Sequence, residues 1–103
     1  MKIECVKDRL ETSIAIAEKI TGKNLPLPVL SAVVLEAKQN TLKLRATNLD
    51  MGVEITIPAK VNEPGIVALP GSLLARFLGT LGNLVATIEV ELVGSTVHLA
   101  GKN

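Results

Sequence analysis

The chain has 103 residues, 48% of them apolar and one aromatic, and its formal net charge is +1. This predicts one domain with an aliphatic core and almost no stacking platforms for single-stranded nucleic acid. It excludes bulk electrostatic attraction to DNA or a membrane but leaves open a local basic face. The single cysteine excludes an internal disulfide and fits a reducing cytoplasm. We expect neither a signal peptide nor a membrane span, because the apolar runs are short and are broken by charges.

A short strand and a helix open the chain. The strand is predicted over Lys2 to Val6, where Cys5 is expected to be a small buried side chain. Asp8 and Glu11 have the spacing of a capping box, which predicts the start of a helix, and Gly22 marks its end. The inner face of this helix is predicted to carry Leu10, Ile14, Ala17, Ile20 and Thr21, and its outer face Thr12, Ile16, Lys19 and Lys23. That outer face fits either an ordinary solvated surface or a contact surface.

Residues 25–58 predict three successive antiparallel strands, because apolar and polar side chains alternate with period two. The predicted strands are Leu30 to Ala37, Leu42 to Thr47 and Val53 to Ile57, with turns at Gln39–Asn40 and at residues 48–50. The first of these strands is apolar on both faces over residues 33–35. We therefore expect it to be covered on both sides or to lie deep in the sheet.

A second helix follows a short connection. Ala59 to Pro64 is predicted to be a polar turn, Ile66 to Leu69 a strand, and Ser72 to Leu81 a helix opened by Pro70–Gly71. The apolar stripe of this helix is predicted to be Leu73, Leu74, Phe77, Leu78 and Leu81, and the opposite face Ser72, Ala75, Arg76, Gly79 and Thr80. Glycine inside a helix is unfavourable, so Gly79 fits either close approach of a neighbour or simple tolerance.

The last predicted elements are strands at Val85 to Leu92 and Thr96 to Ala100, joined by a hairpin turn at Gly94–Ser95. The element order is therefore strand, helix and three strands, then strand, helix and two strands. This internal repeat predicts an α+β fold with two helices side by side on antiparallel sheet. Its second copy stops one strand short, which predicts an open sheet edge beside residues 96–100.

The residues offer little chemistry. His98 is the single histidine and is placed on the polar side of a terminal strand, and with one cysteine it cannot build a zinc site. Glu89 and Glu91 share a strand face, as surface carboxylates commonly do. No phosphate-binding loop or nucleophile motif is present. We therefore expect no catalytic residue, metal or cofactor.

Three motifs follow one another along the chain: Leu27 to Leu30 (LPVL), Thr47 to Glu54 (TNLDMGVE), and Val67 to Pro70 (VALP) leading into the second helix. Together they resemble the N-terminal domain of the bacterial DNA polymerase III beta subunit, the sliding clamp, and the resemblance covers residues 1–103. It implies doubled strand–helix–three-strand units, with repeat one at residues 1–61 and a truncated repeat two at residues 62–103.

The resemblance also implies a function. It is that of a non-catalytic processivity factor, in which three domains form a subunit and two subunits close head to tail around duplex DNA, with helices lining the hole. Expected partners are duplex DNA, contacted without sequence specificity, and DNA polymerase III and its clamp loader, which bind parts of the clamp outside this chain. No membrane partner is expected.

Family positions that contact DNA through basic residues fall on Asn24, with Lys23 beside it, and on Ser72; another basic position falls on Gly79. Lys19, Lys23 and Arg76 are the cations within reach that could substitute. The expected DNA-binding residues are Lys19, Lys23, Asn24, Ser72 and Arg76.

Two other functions compete with the clamp. The nearly uncharged second helix favours a stand-alone, clamp-like interaction module, rich in β-structure, that does not encircle DNA. A small enzyme is the third hypothesis, and the chemical inventory gives it no support.

Overall fold

The computed structural model describes residues 1–20, 32–47, 52–82 and 85–102. These residues form two helices and eight strands. In chain order the elements are β1 (Lys2–Val6), α1 (Lys7–Ile20), β2 (Ala32–Lys38), β3 (Thr41–Thr47), β4 (Gly52–Pro58), β5 (Lys60–Glu63), β6 (Gly65–Pro70), α2 (Gly71–Leu81), β7 (Thr87–Val93) and β8 (Thr96–Lys102). The predicted α+β class is confirmed.

The strands form two four-stranded antiparallel sheets, and each sheet contains strands from both halves of the chain. Sheet one has the order β4-β3-β2-β6 and sheet two the order β5-β1-β7-β8. β1 comes from the first half of the chain but pairs with β7 from the second half, and β6 from the second half pairs with β2 from the first. Neither sheet can therefore be completed without the other half.

One core joins the sheets and the helices. Alternate residues of the strands face inward, as the period-two pattern predicts, and both helices contribute an apolar face. The buried apolar side chains are Ile3, Cys5, Leu10, Ile14, Ala17, Val33, Leu35, Ala37, Leu42, Leu44, Ala46, Ile57, Leu74, Leu78, Ile88 and Val90. The two helices pack against each other, which confirms that they lie side by side.

The apolar strand predicted over residues 30–37 is β2, and it is an inner strand of sheet one. It pairs with β3 on one edge and with β6 on the other. Val33 and Leu35 are fully buried, and Val34 on the opposite face is half-buried. The prediction of deep pairing is therefore confirmed.

Two of the predicted turns are formed by residues with positive φ. Gln39 (φ 54°) and Asn40 (φ 61°) connect β2 to β3, which is the left-handed geometry of a tight hairpin turn. Gly94 (φ 61°) with Ser95 connects β7 to β8. The predicted turn at residues 48–50, and the predicted helix residues Thr21 and Gly22, lie outside the described residues.

The polar turn predicted at Ala59 to Pro64 is wrong, because residues 60–63 form strand β5. Ala59 separates β4 from β5, and its amide donates a hydrogen bond to the Asn40 carbonyl at 3.1 Å. At this residue the chain leaves the edge of sheet one and joins the edge of sheet two. There Val61 pairs with Ile3 of β1 and packs on the core. The neighbours of Val61, Lys60 and Asn62, are polar and exposed, so the segment has the composition of a turn although it forms a strand.

Two smaller predictions also require correction. Helix α1 begins at Lys7, one residue before the predicted cap Asp8, and the Glu11 carboxylate accepts a hydrogen bond from the Lys7 ammonium. Leu73 is predicted to belong to the apolar stripe of α2 but is 59% exposed. It lies next to Ser72 at the beginning of the helix, on the side that turns away from the sheets.

We predict that burial of Cys5 makes stability depend on alkaline pH. Cys5 is 5% exposed, and burial raises the pKa of its thiol from 9.0 to about 11. Between pH 9.0 and about 11, the Cys5 thiol is therefore protonated in the folded state and ionised in the unfolded state. The resulting stability is fully present below pH 9.0 and is lost as the pH rises to about 11; the loss amounts to about 2–3 kcal/mol.

Chemical denaturation of the native chain and of Cys5→Ala across this pH range measures the effect. The alanine variant is a matched control, because it keeps every lysine that also titrates at high pH. The difference in unfolding free energy between the two proteins should shrink as pH rises, and a constant difference would contradict the prediction.

We predict that the 103-residue chain self-associates through the outer edge of β8. Within the described residues β8 pairs with β7 alone, so its other edge presents unpaired backbone groups beside half-buried Val97 and Leu99. We expect two copies to pair along this edge, or the chain to be less stable than a longer one that supplies a further strand. Light scattering over a concentration series measures the mass.

Val97→Lys should prevent the pairing, because it places an ammonium beside the inward-facing apolar row. His98→Lys on the outward face of the same strand is its control and should leave association unchanged. A chain that is monomeric at all concentrations and as stable as the longer one would refute the prediction.

Candidate nucleic-acid interface

The two helices run antiparallel. At the first turn of α1, the Lys7 ammonium donates a hydrogen bond to the carbonyl of Gly82, just past the last turn of α2, at 2.7 Å. Because the helices also pack side by side, the end of α1 that carries Lys19 lies beside the beginning of α2, where Ser72 is. We call the outward faces of α1 and α2 the helical surface.

Around the axis of α1, Lys19 lies in the middle of the exposed face, and along the axis it lies near the end of the helix. Residues 12, 15 and 16, which precede it by seven, four and three positions, are all exposed. Residues at these spacings share one face of a helix, so the Lys19 side chain projects away from the sheets. It is in the last turn of α1, where the negative end of the helix dipole favours a cation.

Arg76 has the same position on α2. Ser72 and Leu73 before it, and Gly79 and Thr80 after it, are exposed and lie three or four residues away. Arg76 is the single charged residue of α2, whose sequence is GSLLARFLGTL. The outward face of α2 therefore presents one cation, the apolar side chain of Leu73, small side chains and no carboxylate.

The cations of the outer sheet faces are mostly neutralised by carboxylates. Lys102 lies 2.8 Å from Glu89 and 3.2 Å from Glu4, and its hydrogen bond lowers the pKa of the Glu89 carboxyl. On sheet one, Arg45 contacts both Glu36 and Glu54. Lys2–Glu91 and Lys43–Glu54 are further pairs.

The helical surface differs in this respect. Lys19 and Arg76 form no ion pair or side-chain hydrogen bond with any residue in the described part of the chain, and neither does Arg9, which is exposed on α1. These three cations are free to interact with an external anion. Sequence reasoning missed Arg9, although its spacing from Thr12 and Ile16 places it at the margin of the same outward face.

Of the expected DNA-binding residues, Lys19, Ser72 and Arg76 are exposed on the helical surface. Lys23 and Asn24 lie outside the described residues. His98 is exposed on β8, as expected, and no group of three potential metal ligands occurs among residues that the structure describes. No helix in the described ranges is long and apolar enough to cross a membrane.

The chain has the fold of a sliding-clamp domain, because it superimposes closely on solved DNA sliding clamps. The chain superimposes on the Caulobacter crescentus pol III beta with a TM-score of 0.91 at 20% identity, covering 99% of this chain and 27% of that one. The Bacillus subtilis DNA polymerase sliding clamp gives a TM-score of 0.91 at 21% identity, covering 99% and 29%. A Helicobacter pylori beta clamp bound to a DNA ligase peptide gives 0.89 at 21%, covering 97% and 28%.

Sequence comparison places the chain in a particular family. Residues 1–103 match the family model of the DNA polymerase III beta subunit, N-terminal domain, and the chain belongs to this family. The beta sliding clamp of Streptomyces coelicolor is 30% identical over 97 residues, which are 94% of this chain and 26% of that protein. The chain spans about a quarter of the length of the curated relatives it matches.

We predict that Gly79→Ala stabilises the protein. An added Cβ at Gly79 would meet no atom within 4 Å, and the residue has no positive φ, so no described part of the chain approaches it closely. Alanine should then raise the unfolding free energy by about 1 kcal/mol through helix propensity. Chemical denaturation measures the change.

Gly82→Ala is the control for this prediction. An added Cβ at Gly82 also meets no atom within 4 Å, but φ at that residue is +57°. Alanine there should therefore destabilise the protein. If Gly79→Ala also lowers the unfolding free energy, the helix position is not simply tolerant of a side chain.

Proposed function

We propose that this chain is the N-terminal domain of a bacterial sliding clamp, and that its helical surface faces duplex DNA inside a closed ring. The ring holds DNA polymerase III on its template by topology and contacts the phosphate backbone without reading sequence. The observation that carries the proposal is the distribution of charge. Cations on the outer sheet faces are largely neutralised, whereas Lys19 and Arg76 are unpaired among the described residues and project from the helices.

This distribution suits a surface along which DNA slides. Two or three separate cations attract phosphates through counterion release, while small side chains such as Ser72 and Gly79 between them form no fixed contacts with bases. The formal net charge of +1 does not oppose this function, because the force on DNA depends on the local charge of the face that meets it.

We further propose the organisation that the family implies. Repeat one comprises residues 1–61 and repeat two residues 62–103. Two three-domain subunits close head to tail around DNA in the cytoplasm. Polymerase and clamp loader bind parts of the clamp beyond this chain, and the protein has no catalytic activity of its own.

A stand-alone interaction module without DNA encirclement is the second candidate function. It is favoured by the composition of α2, which has one charged residue and carries Ser72 and Gly79 where the family is expected to be basic. Under this hypothesis, partner proteins bind the sheet edges, and the helical surface has no role in binding DNA.

Charge reversal on the helical surface distinguishes the two functions. Lys19→Glu combined with Arg76→Glu, placed in a three-domain clamp that carries this domain, should weaken association with duplex DNA at low salt. The slope of log K against log salt should become shallower by about 0.9 for each phosphate that the protein no longer neutralises. Thermal stability should stay nearly unchanged, because exposed charges contribute little to it.

Lys38→Glu combined with Lys60→Glu is the matched control. Both lysines are exposed and are unpaired among described residues, and they lie on strands rather than on helices. This variant should bind DNA like the parent. Equal weakening in the two double variants would show a general charge effect, and unchanged binding in the helical variant would favour the interaction module.

A further inference from the structure

Among the residues that the structure describes, Lys7 is the single charged residue that is buried, with 2% of its surface exposed. Its ammonium donates hydrogen bonds to Glu11 Oε1 at 2.9 Å and to the Gly82 carbonyl at 2.7 Å, and it lies 4.0 Å from Asp8 Oδ1. Because burying an unpaired ammonium is strongly unfavourable, these contacts are what keep the charge inside.

The position of Lys7 is unfavourable for α1 but favourable for the pair of helices. A cation in the first turn opposes the dipole of its own helix, whereas the carbonyls at the end of a helix attract a cation. The Lys7 ammonium meets such a carbonyl at the end of α2. The residue therefore stabilises the contact between the helices rather than the start of α1.

The connection from α2 to β7 is anchored on Lys7 at two points. The Gly82 carbonyl accepts the side-chain hydrogen bond, and the Ala86 carbonyl accepts one from the Lys7 backbone amide at 2.9 Å. Gly82 has φ 57° and ψ −144°, a conformation that suits glycine, and an added Cβ there would meet no atom within 4 Å. Glycine is thus favoured by the backbone conformation that directs the carbonyl toward Lys7, and not by lack of space.

We propose that Lys7 is a positioning residue for the helical surface. It holds the end of α2 against the start of α1 and thereby keeps Arg76, less than two turns before Gly82, on the same surface as Lys19. Its ammonium does not contact DNA, because it is buried and both of its close partners lie within the chain. This inference rests on the proposed function of that surface.

Lys7→Met in the 103-residue chain tests the anchoring. Amide hydrogen exchange in the last turn of α2 should become about tenfold faster, the size of effect expected when a hydrogen bond to a charged group is removed. Lys7→Arg should restore slow exchange, and Lys19→Met, which changes an exposed lysine, should not affect it. If Lys7→Met does not fold, Glu11→Gln removes the negative charge beside the ammonium but keeps an acceptor oxygen, and it should accelerate the same amides to a smaller degree.

Titration of the chain with a short DNA duplex, followed by amide NMR, tests the link to the surface. Lys7→Met should weaken association severalfold in the parent but not in an Arg76→Gln background, because residues that act through each other are not additive. The proposal is overturned by unchanged exchange, by unchanged association in Lys7→Met when Arg76→Gln alone weakens it, or by equal weakening in both backgrounds. If Arg76→Gln alone leaves association unchanged while Lys7→Met accelerates exchange, the proposed DNA function fails and the anchoring of α2 by Lys7 is supported.

Discussion

The exchange of strands between the two halves of the chain is the constraint on which the rest of the structure depends. β1 lies between β5 and β7, and β6 completes the sheet of β2, β3 and β4. Because each sheet contains a strand from the other half, the helices that follow β1 and β6 are brought side by side. These pairings join residues far apart in sequence, so much of the stability depends on contacts that form across the whole chain.

Burial and charge follow from this arrangement. The inner faces of the sheets and helices meet in one aliphatic core, which leaves two kinds of outer surface: strands and helices. On the strands, neighbouring rows bring Arg45 between Glu36 and Glu54. The Lys102 side chain reaches from β8 to Glu89 on β7 and to Glu4 on β1. On the helices, Lys19 and Arg76 are beyond the reach of these carboxylates. A net charge of +1 thus conceals a helical surface whose cations are available to phosphate.

Lys7 links the strand pairing to the helical surface. It is the first residue of α1 and directly follows β1. Its side chain and its backbone amide donate hydrogen bonds to the two ends of the connection between α2 and β7. The residue that follows β1 therefore also contacts the end of α2. On our proposal, this contact keeps Arg76 on the same surface as Lys19.

The sequence by itself determined the elements whose signal is local. Period-two alternation identified β3, β4 and β7, residue types that favour turns identified the hairpins, and the apolar stripe identified both helices. The sequence could not reveal β5, because Lys60–Glu63 is a strand only where β1 supplies its hydrogen-bond partners. Nor could it show that Leu73 is exposed, that Lys7 is buried, or that Arg45 is ion-paired whereas Arg9 has no ion pair among the described residues. Those properties depend on which distant segment lies next to a side chain, and only the tertiary structure decides that.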